Sequence, residues 1–155
     1  MRVAGIWIFL HVLGTAFWLG GVFVLSIWTA RARGTGETQI IVFAHSTARQ
    51  LYRGLVLTAA TLTIVAGAIL MIVTQRPWFR PFPEHWLFQM QVIGFIAFLV
   101  TLIYVIPKAG ALARLAERGD VESPEFRAAL KRGAIVGSAV GALLIYLVLL
   151  GALRF

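Results

Sequence analysis

The chain has 155 residues, of which 60% are hydrophobic and only 13% charged, and it contains no cysteine. A soluble domain is about half apolar and a quarter charged, and a disordered chain is more polar still, so both classes are excluded along with disulfides, thiolate metal sites and thioether-attached haem. The formal net charge of +8 comes from 14 basic and 6 acidic residues that fall mostly in short connections, which is the pattern of membrane topology and not of a nucleic-acid face.

Four uncharged runs, residues 3–30, 54–74, 86–107 and 133–153, are 21 to 28 residues long. About 20 helical residues cross the hydrocarbon, and a helix satisfies its own backbone hydrogen bonds there. With their flanks, the runs predict transmembrane helices over about 3–30, 51–75, 84–107 and 131–153, in a single domain. Three short connections make this an all-α, integral-membrane, up-down antiparallel four-helix bundle.

The first helix is too long for a signal-peptide core and carries Trp7, Trp18 and Trp28, so it is read as retained. His11, Gly14, Trp18 and Gly21 fall on one of its faces. In the next segment, residues 37–53, apolar Ile40 to Phe43 precede polar His45, Ser46, Thr47, Arg49 and Gln50. This reads as an extension of helix two lying near the head groups. The middle connection, residues 76–84, mixes Pro77, Pro81 and Pro83 with Trp78, Phe79 and Phe82, a composition suited to a stiff interfacial loop. In the third connection, Asp120 or Ser123 is the expected cap of the last helix, with Pro124 just inside it. That helix carries Gly133, Gly137 and Gly141 at four-residue spacing. Such a stripe permits close approach, either inside the bundle or to a second copy in a homo-oligomer.

The positive-inside rule counts lysine and arginine. Connection one carries Arg31, Arg33, Arg49 and Arg53, and connection three carries Lys108, Arg114, Arg118, Arg127, Lys131 and Arg132. The middle loop has only Arg76 and Arg80, and the termini one each, Arg2 and Arg154. Connections one and three are therefore expected in the cytoplasm, with both termini and the middle loop outside. The expected location is a bacterial cytoplasmic (inner) membrane, multi-pass, with the lipid bilayer as the first partner and no nucleic acid.

His11 is the residue that stands out chemically. It lies about 12 Å inside helix one, a depth at which ionisable side chains are rare and face a bundle interior or a cavity. Counting from the outer ends of the helices puts Gly67, Met90 and Gln91 in the same layer. Two readings of His11 stand side by side. It is a metal ligand for haem b, with Met90 or no residue opposite it, or it makes an interhelical hydrogen bond to Gln91 or a threonine. His45 lies at the other end of the bundle, and His85 at the outer interface. No span contains an acid, and there is no phosphate loop or paired-carboxylate site, so a carboxylate proton relay is not expected. Met71 and Met90 lie apart in sequence, and a dedicated copper path has little support.

The segment from His11 through Trp18 and Gly21 to Leu25, with Arg49 to Arg53 and Gly67 in helix two, resembles three kinds of small bacterial membrane protein. These are the copper-resistance D-like proteins, the four-helix family called DUF2269, and the HemJ-type protoporphyrinogen oxidases. The last resemblance implies haem b held by His11. Those oxidases carry a lysine after a Trp-Leu pair at the start of helix three; here Met90 stands in its place after Trp86 and Leu87. The leading expectation is a small haem b-binding membrane protein with a redox or electron-transfer role, working with quinone or a larger membrane complex. His11 would be the ligand, with Gly14, Trp18, Gly67, Met90 and Gln91 around the cofactor. The alternative is a non-catalytic accessory subunit of a larger complex, followed by copper transport and a protoporphyrinogen oxidase-like activity.

Overall fold

The computed structural model describes residues 2–80 and 85–153. Its elements are α1 (Arg2–Gly34), α2 (Thr38–Leu51), α3 (Leu57–Val73), α4 (His85–Val100), α5 (Ile106–Glu117) and α6 (Pro124–Leu153), with no strand among the described residues. Single π-turns, Tyr52–Val56 and Thr101–Val105, join α2 to α3 and α4 to α5 without interruption. The result is four rods: Val3–Gly34, Thr38–Val73, His85–Glu117 and Pro124–Leu153, each long and apolar enough to cross a membrane. They form the expected antiparallel bundle. Pro81, Phe82 and Pro83 of the middle loop and Arg154 at the C-terminus lie outside the described residues.

The rods hold 30 to 36 residues, about 45 to 54 Å at 1.5 Å per residue, against a hydrocarbon thickness of roughly 30 Å. They outrun the apolar stretches mainly at the end rich in arginine. There α2, α5 and the start of α6 build a second core from Ile41, Leu112, Leu115, Ala116, Phe126 and Ala129. An ion pair between Arg49 and Glu117 at 3.2 Å ties α2 to α5 at its rim. The third span was expected to end at Pro107, yet the helix runs on to Glu117. Proline lacks an N–H and its ring crowds the carbonyl four residues back. The π-turn at Thr101–Val105 opens the hydrogen-bond ladder just before it, so Pro107 sits in the first turn of α5 without breaking the rod.

Most hydroxyl side chains in the spans are satisfied by their own helix. Thr15, Ser26, Thr29, Thr63 and Thr101 each donate to the carbonyl four residues earlier, the economical solution in a medium without water. Of the two proposed caps for α6, Ser123 is the one used: its Oγ accepts the Phe126 N–H at 3.1 Å.

Helix α1 lies along α3, α4 lies along α6, and α1 also meets α6. Gly14 makes the first contact possible: a Cβ there would lie 2.7 Å from Thr63 Oγ1 and 2.9 Å from the Ala59 carbonyl. Trp18 is 1% exposed at the centre of the core, edge-on to Phe98 at 6.5 Å, with Val22, Leu144 and Leu150 in the same cluster. The glycine stripe of α6 turns inward. A Cβ on Gly141 would meet the Phe23 ring at 3.3 Å, and one on Gly133 would meet Lys108 at 3.7 Å. The fold thus uses Gly141 and Gly133 for its own packing, while Gly137 between them has open space beside it.

Candidate functional site: an apolar cavity around His11

Helices α3 and α4 meet along a short stretch only. They part toward the middle loop, and α1 floors the gap. This leaves a cavity of about 390 Å³. Ile8 and His11 line it from α1, Ile64, Gly67 and Met71 from α3, Arg76, Trp78 and Phe79 from the loop, and Trp86, Met90, Gln91 and Phe95 from α4. Its volume falls within the range of about 300–1,000 Å³ typical of cofactor and ligand pockets.

The His11 ring is held by its Nδ1, 2.8 Å from the Thr63 backbone carbonyl. A carbonyl only accepts, so Nδ1 carries a proton, and Nε2 is the nitrogen left to meet a ligand. Of the two partners expected for a structural interhelical hydrogen bond, the structure uses a threonine, Thr63, through its main-chain carbonyl, and not Gln91. A helical carbonyl has a second lone pair with which to accept the ring, while the Thr63 hydroxyl bonds back to Ala59 O at 2.9 Å. Gly67 allows the ring to sit close to α3: a Cβ there would lie 3.1 Å from His11 Nδ1. A histidine fixed through Nδ1 to a carbonyl, with Nε2 available, is the usual arrangement of a metal-ligating imidazole. Among the described residues no group of three or more His, Cys, Asp or Glu side chains converges, so any metal here would arrive with its own ligands.

His11, Gly67, Met90 and Gln91 are brought to one cavity, as the depth count expected. Gly14 and Trp18 are not. Both face the α1–α3–α4–α6 core, because the turn of α1 that carries them lies below the point where α3 and α4 diverge. Met90 lies against α6 as well, where a Cβ on Gly151 would come 3.4 Å from its methyl group. Gln91 serves the loop. Its Oε1 accepts the Phe79 N–H at 2.9 Å, and its Nε2 reaches the Pro77 carbonyl at 3.4 Å and Met71 Sδ at 3.9 Å.

Sequence reasoning separated Met71 from Met90, yet both line this cavity. The signal was available: Met71 stands three residues from the end of α3 and Met90 six residues into α4, similar depths on antiparallel neighbours. The aromatic wall of Trp78, Phe79 and Trp86 was readable only as an interfacial belt, since its turn toward His11 depends on the loop. His45 is buried at the opposite end of the bundle, and His85 is exposed at the start of α4.

No curated protein and no solved structure matches the chain. A family model does match, over residues 6–154, and its description is a predicted integral membrane protein, DUF2269. That match takes in all four lipid-spanning rods and both walls of the His11 cavity, and the chain belongs to the DUF2269 family of integral membrane proteins.

Proposed function

We propose that this chain is a small haem b-binding protein of a bacterial cytoplasmic membrane, with its cavity in the outer half of the bilayer. One observation carries the reading. At membrane depth, His11 is anchored through Nδ1 to the Thr63 carbonyl and lines an apolar cavity of cofactor size. A bare polar ring at that depth is costly, and an iron ligand uses the lone pair that the anchor leaves on Nε2.

The residues present fit such a group. His11 would supply the axial nitrogen, and Met90 and Met71 are thioethers on the same cavity wall. Arg76, at the exposed edge, is placed to meet a propionate carboxylate. Trp78, Phe79, Trp86 and Phe95 would exclude water from the faces of the macrocycle. When bound, haem b supplies reversible one-electron transfer. The chain orients it, sets a low-dielectric surrounding and leaves the loop side open toward a quinone or a partner complex.

The test is a reduced-minus-oxidised visible spectrum, with iron and copper analysis, of protein purified in mild detergent. The expected result is a b-type difference spectrum that His11→Ala abolishes and His45→Ala leaves intact. Full haem occupancy in the His11 variant would remove the proposed ligand. Copper without haem would reassign the cavity to an imidazole–thioether copper site. A colourless, folded, metal-free preparation would support the accessory-subunit reading, with His11 as a packing and hydrogen-bonding residue.

A further inference from the structure

A second cavity, of about 110 Å³, lies between the rods toward the basic end. It has no place in the haem proposal. Its polar walls are Arg33 of α1, His45 of α2, Tyr52 and Tyr104 of the two π-turns, and Lys108 of α5. No carboxylate lines it. Neither cation is neutralised by an ion pair, since the pair formed among the described residues is Arg49 with Glu117. Ser26 and Thr29 also border the space, but their hydroxyl protons go to carbonyls of their own helix. Tyr52 is hydrogen-bonded to Ser26, which leaves Arg33, Lys108 and the Tyr104 hydroxyl as the donors on the cavity wall.

His45 makes the case specific. It is 3% exposed, and its Nε2 is buried with no hydrogen-bond partner among the described residues. Its ring is held edge-on to Phe126 at 5.4 Å, an apolar contact that satisfies neither nitrogen. A buried polar atom without a partner is rare in native folds; among the described residues Trp18 Nε1 is another, but it lies in the close-packed core, whereas His45 borders a cavity. Contrast His11, whose ring is anchored to a carbonyl. His45 borders the cavity with its Nε2 buried and unpartnered, beside Lys108 and the exposed Arg33, whose Nε donates to Thr29 O at 3.3 Å and which has no carboxylate opposite it in the cavity wall.

We propose that this cavity binds a phosphate-type oxyanion through Arg33, Lys108 and His45, with the hydroxyl of Tyr104 completing its shell. Guanidinium and ammonium groups make strong charge-assisted bonds to phosphate oxygens. The volume suits a single head group and is far too small for a macrocycle. Apolar Ala48, Val105 and Ala109 line the rest and would accommodate the carbon next to a phosphodiester. The anion has two possible sources, a free phosphate or the head group of an anionic phospholipid, and the chemistry that recognises them is the same.

The experiment uses the full chain in uncharged detergent, its thermal unfolding followed by tryptophan fluorescence. It is titrated with inorganic phosphate against chloride at equal ionic strength, and with short-chain phosphatidylglycerol against short-chain phosphatidylcholine. A saturable rise in midpoint with phosphate or phosphatidylglycerol, absent with its control, is expected. A response to inorganic phosphate assigns a free oxyanion, and a response to phosphatidylglycerol alone assigns a lipid head group. Arg33→Gln and Lys108→Gln should each weaken the apparent affinity about tenfold or more. Arg33 is exposed, so its variant carries the test if the Lys108 variant does not fold. No saturable response to either phosphate probe, equal responses to probe and control, or an unchanged affinity in the folded variants overturns the proposal.

Discussion

Gln91 and His11 stand at similar depth in one cavity, and the structure gives them unlike tasks. His11 is turned to α3 by a single bond to a main-chain carbonyl. Gln91 is turned to the loop, where it satisfies the amide of Phe79, a residue held at φ 50°. A side chain other than glycine pays a steric penalty in that left-handed region, and such a conformation persists only where surrounding contacts hold it. Replacing Gln91 by Leu removes the acceptor and leaves a donor to water or to nothing. The bond is exposed, so the expected cost is about 0.5–1.5 kcal/mol of stability, with faster hydrogen exchange at the Phe79 amide; unchanged exchange there would show that the loop is held by other contacts. The His11→Ala spectrum belongs to this scale too, because it asks what one nitrogen does. That His11 and Gly67 share a layer was legible from counting residues along two helices. That the bond runs to Thr63 O was not, since rotation about the α1 axis and the tight Gly14 crossing decide which carbonyl the ring meets.

The elements end in two ways that invite direct comparison. At the end of α5, Gly119 adopts φ 82°, with its N–H on Ala116 O and the Asp120 N–H on Leu115 O. At the end of α3, Gln75 takes the same role at φ 53°, with its N–H on Ile72 O and the Arg76 N–H on Met71 O. Both are left-handed helix terminations, and only one uses the residue suited to it. Gln75→Gly should therefore raise stability, and Gly119→Ala should lower it, each by about 1 kcal/mol. Reversible unfolding in mixed detergent measures both, and a loss of stability in the Gln75 variant would mean that its side chain makes a compensating contact. Gly119 is the residue type that suits a helix stop, though the span was expected to end at Pro107. The α3 stop was harder to read, because Gln75 is not a residue that announces one. The continuous second and third rods were also hidden, since a π-turn has no composition of its own and Pro107 reads as a boundary.

For the whole molecule, the arginine-rich ends of the rods gather at one side and the cavity of His11 opens at the other. The positive-inside rule predicts that the basic end lies in the cytoplasm. The absence of cysteine makes this simple to check. In intact spheroplasts, a membrane-impermeant thiol reagent should label Gln75→Cys and should leave Glu122→Cys unlabelled until the cells are opened. The reverse pattern would place the His11 cavity in the inner leaflet and move any electron partner to the cytoplasm. The extramembrane core around Phe126 gives the basic end a soluble character, so the protein presents one end stabilised by water-type burial and one stabilised by packing in lipid.

By itself the sequence determined that this chain lives in a bilayer, that four helices cross it antiparallel, and that a histidine lies deep among them. These follow from the run lengths of apolar residues, the placement of arginine and the cost of a polar group in hydrocarbon, all of which act residue by residue. Tertiary structure alone decided where α3 and α4 part, and therefore that Met71, Met90 and Gln91 line a cavity while Gly14 and Trp18 fill a core. It also left His45 Nε2 without a partner beside Arg33 and Lys108. The reason is that a helix's apolar pattern in lipid carries little information about which face is inward, since lipid and protein interior are equally apolar. Rotation and splay are then set by a few close contacts between small residues, and those contacts exist only once the helices are together.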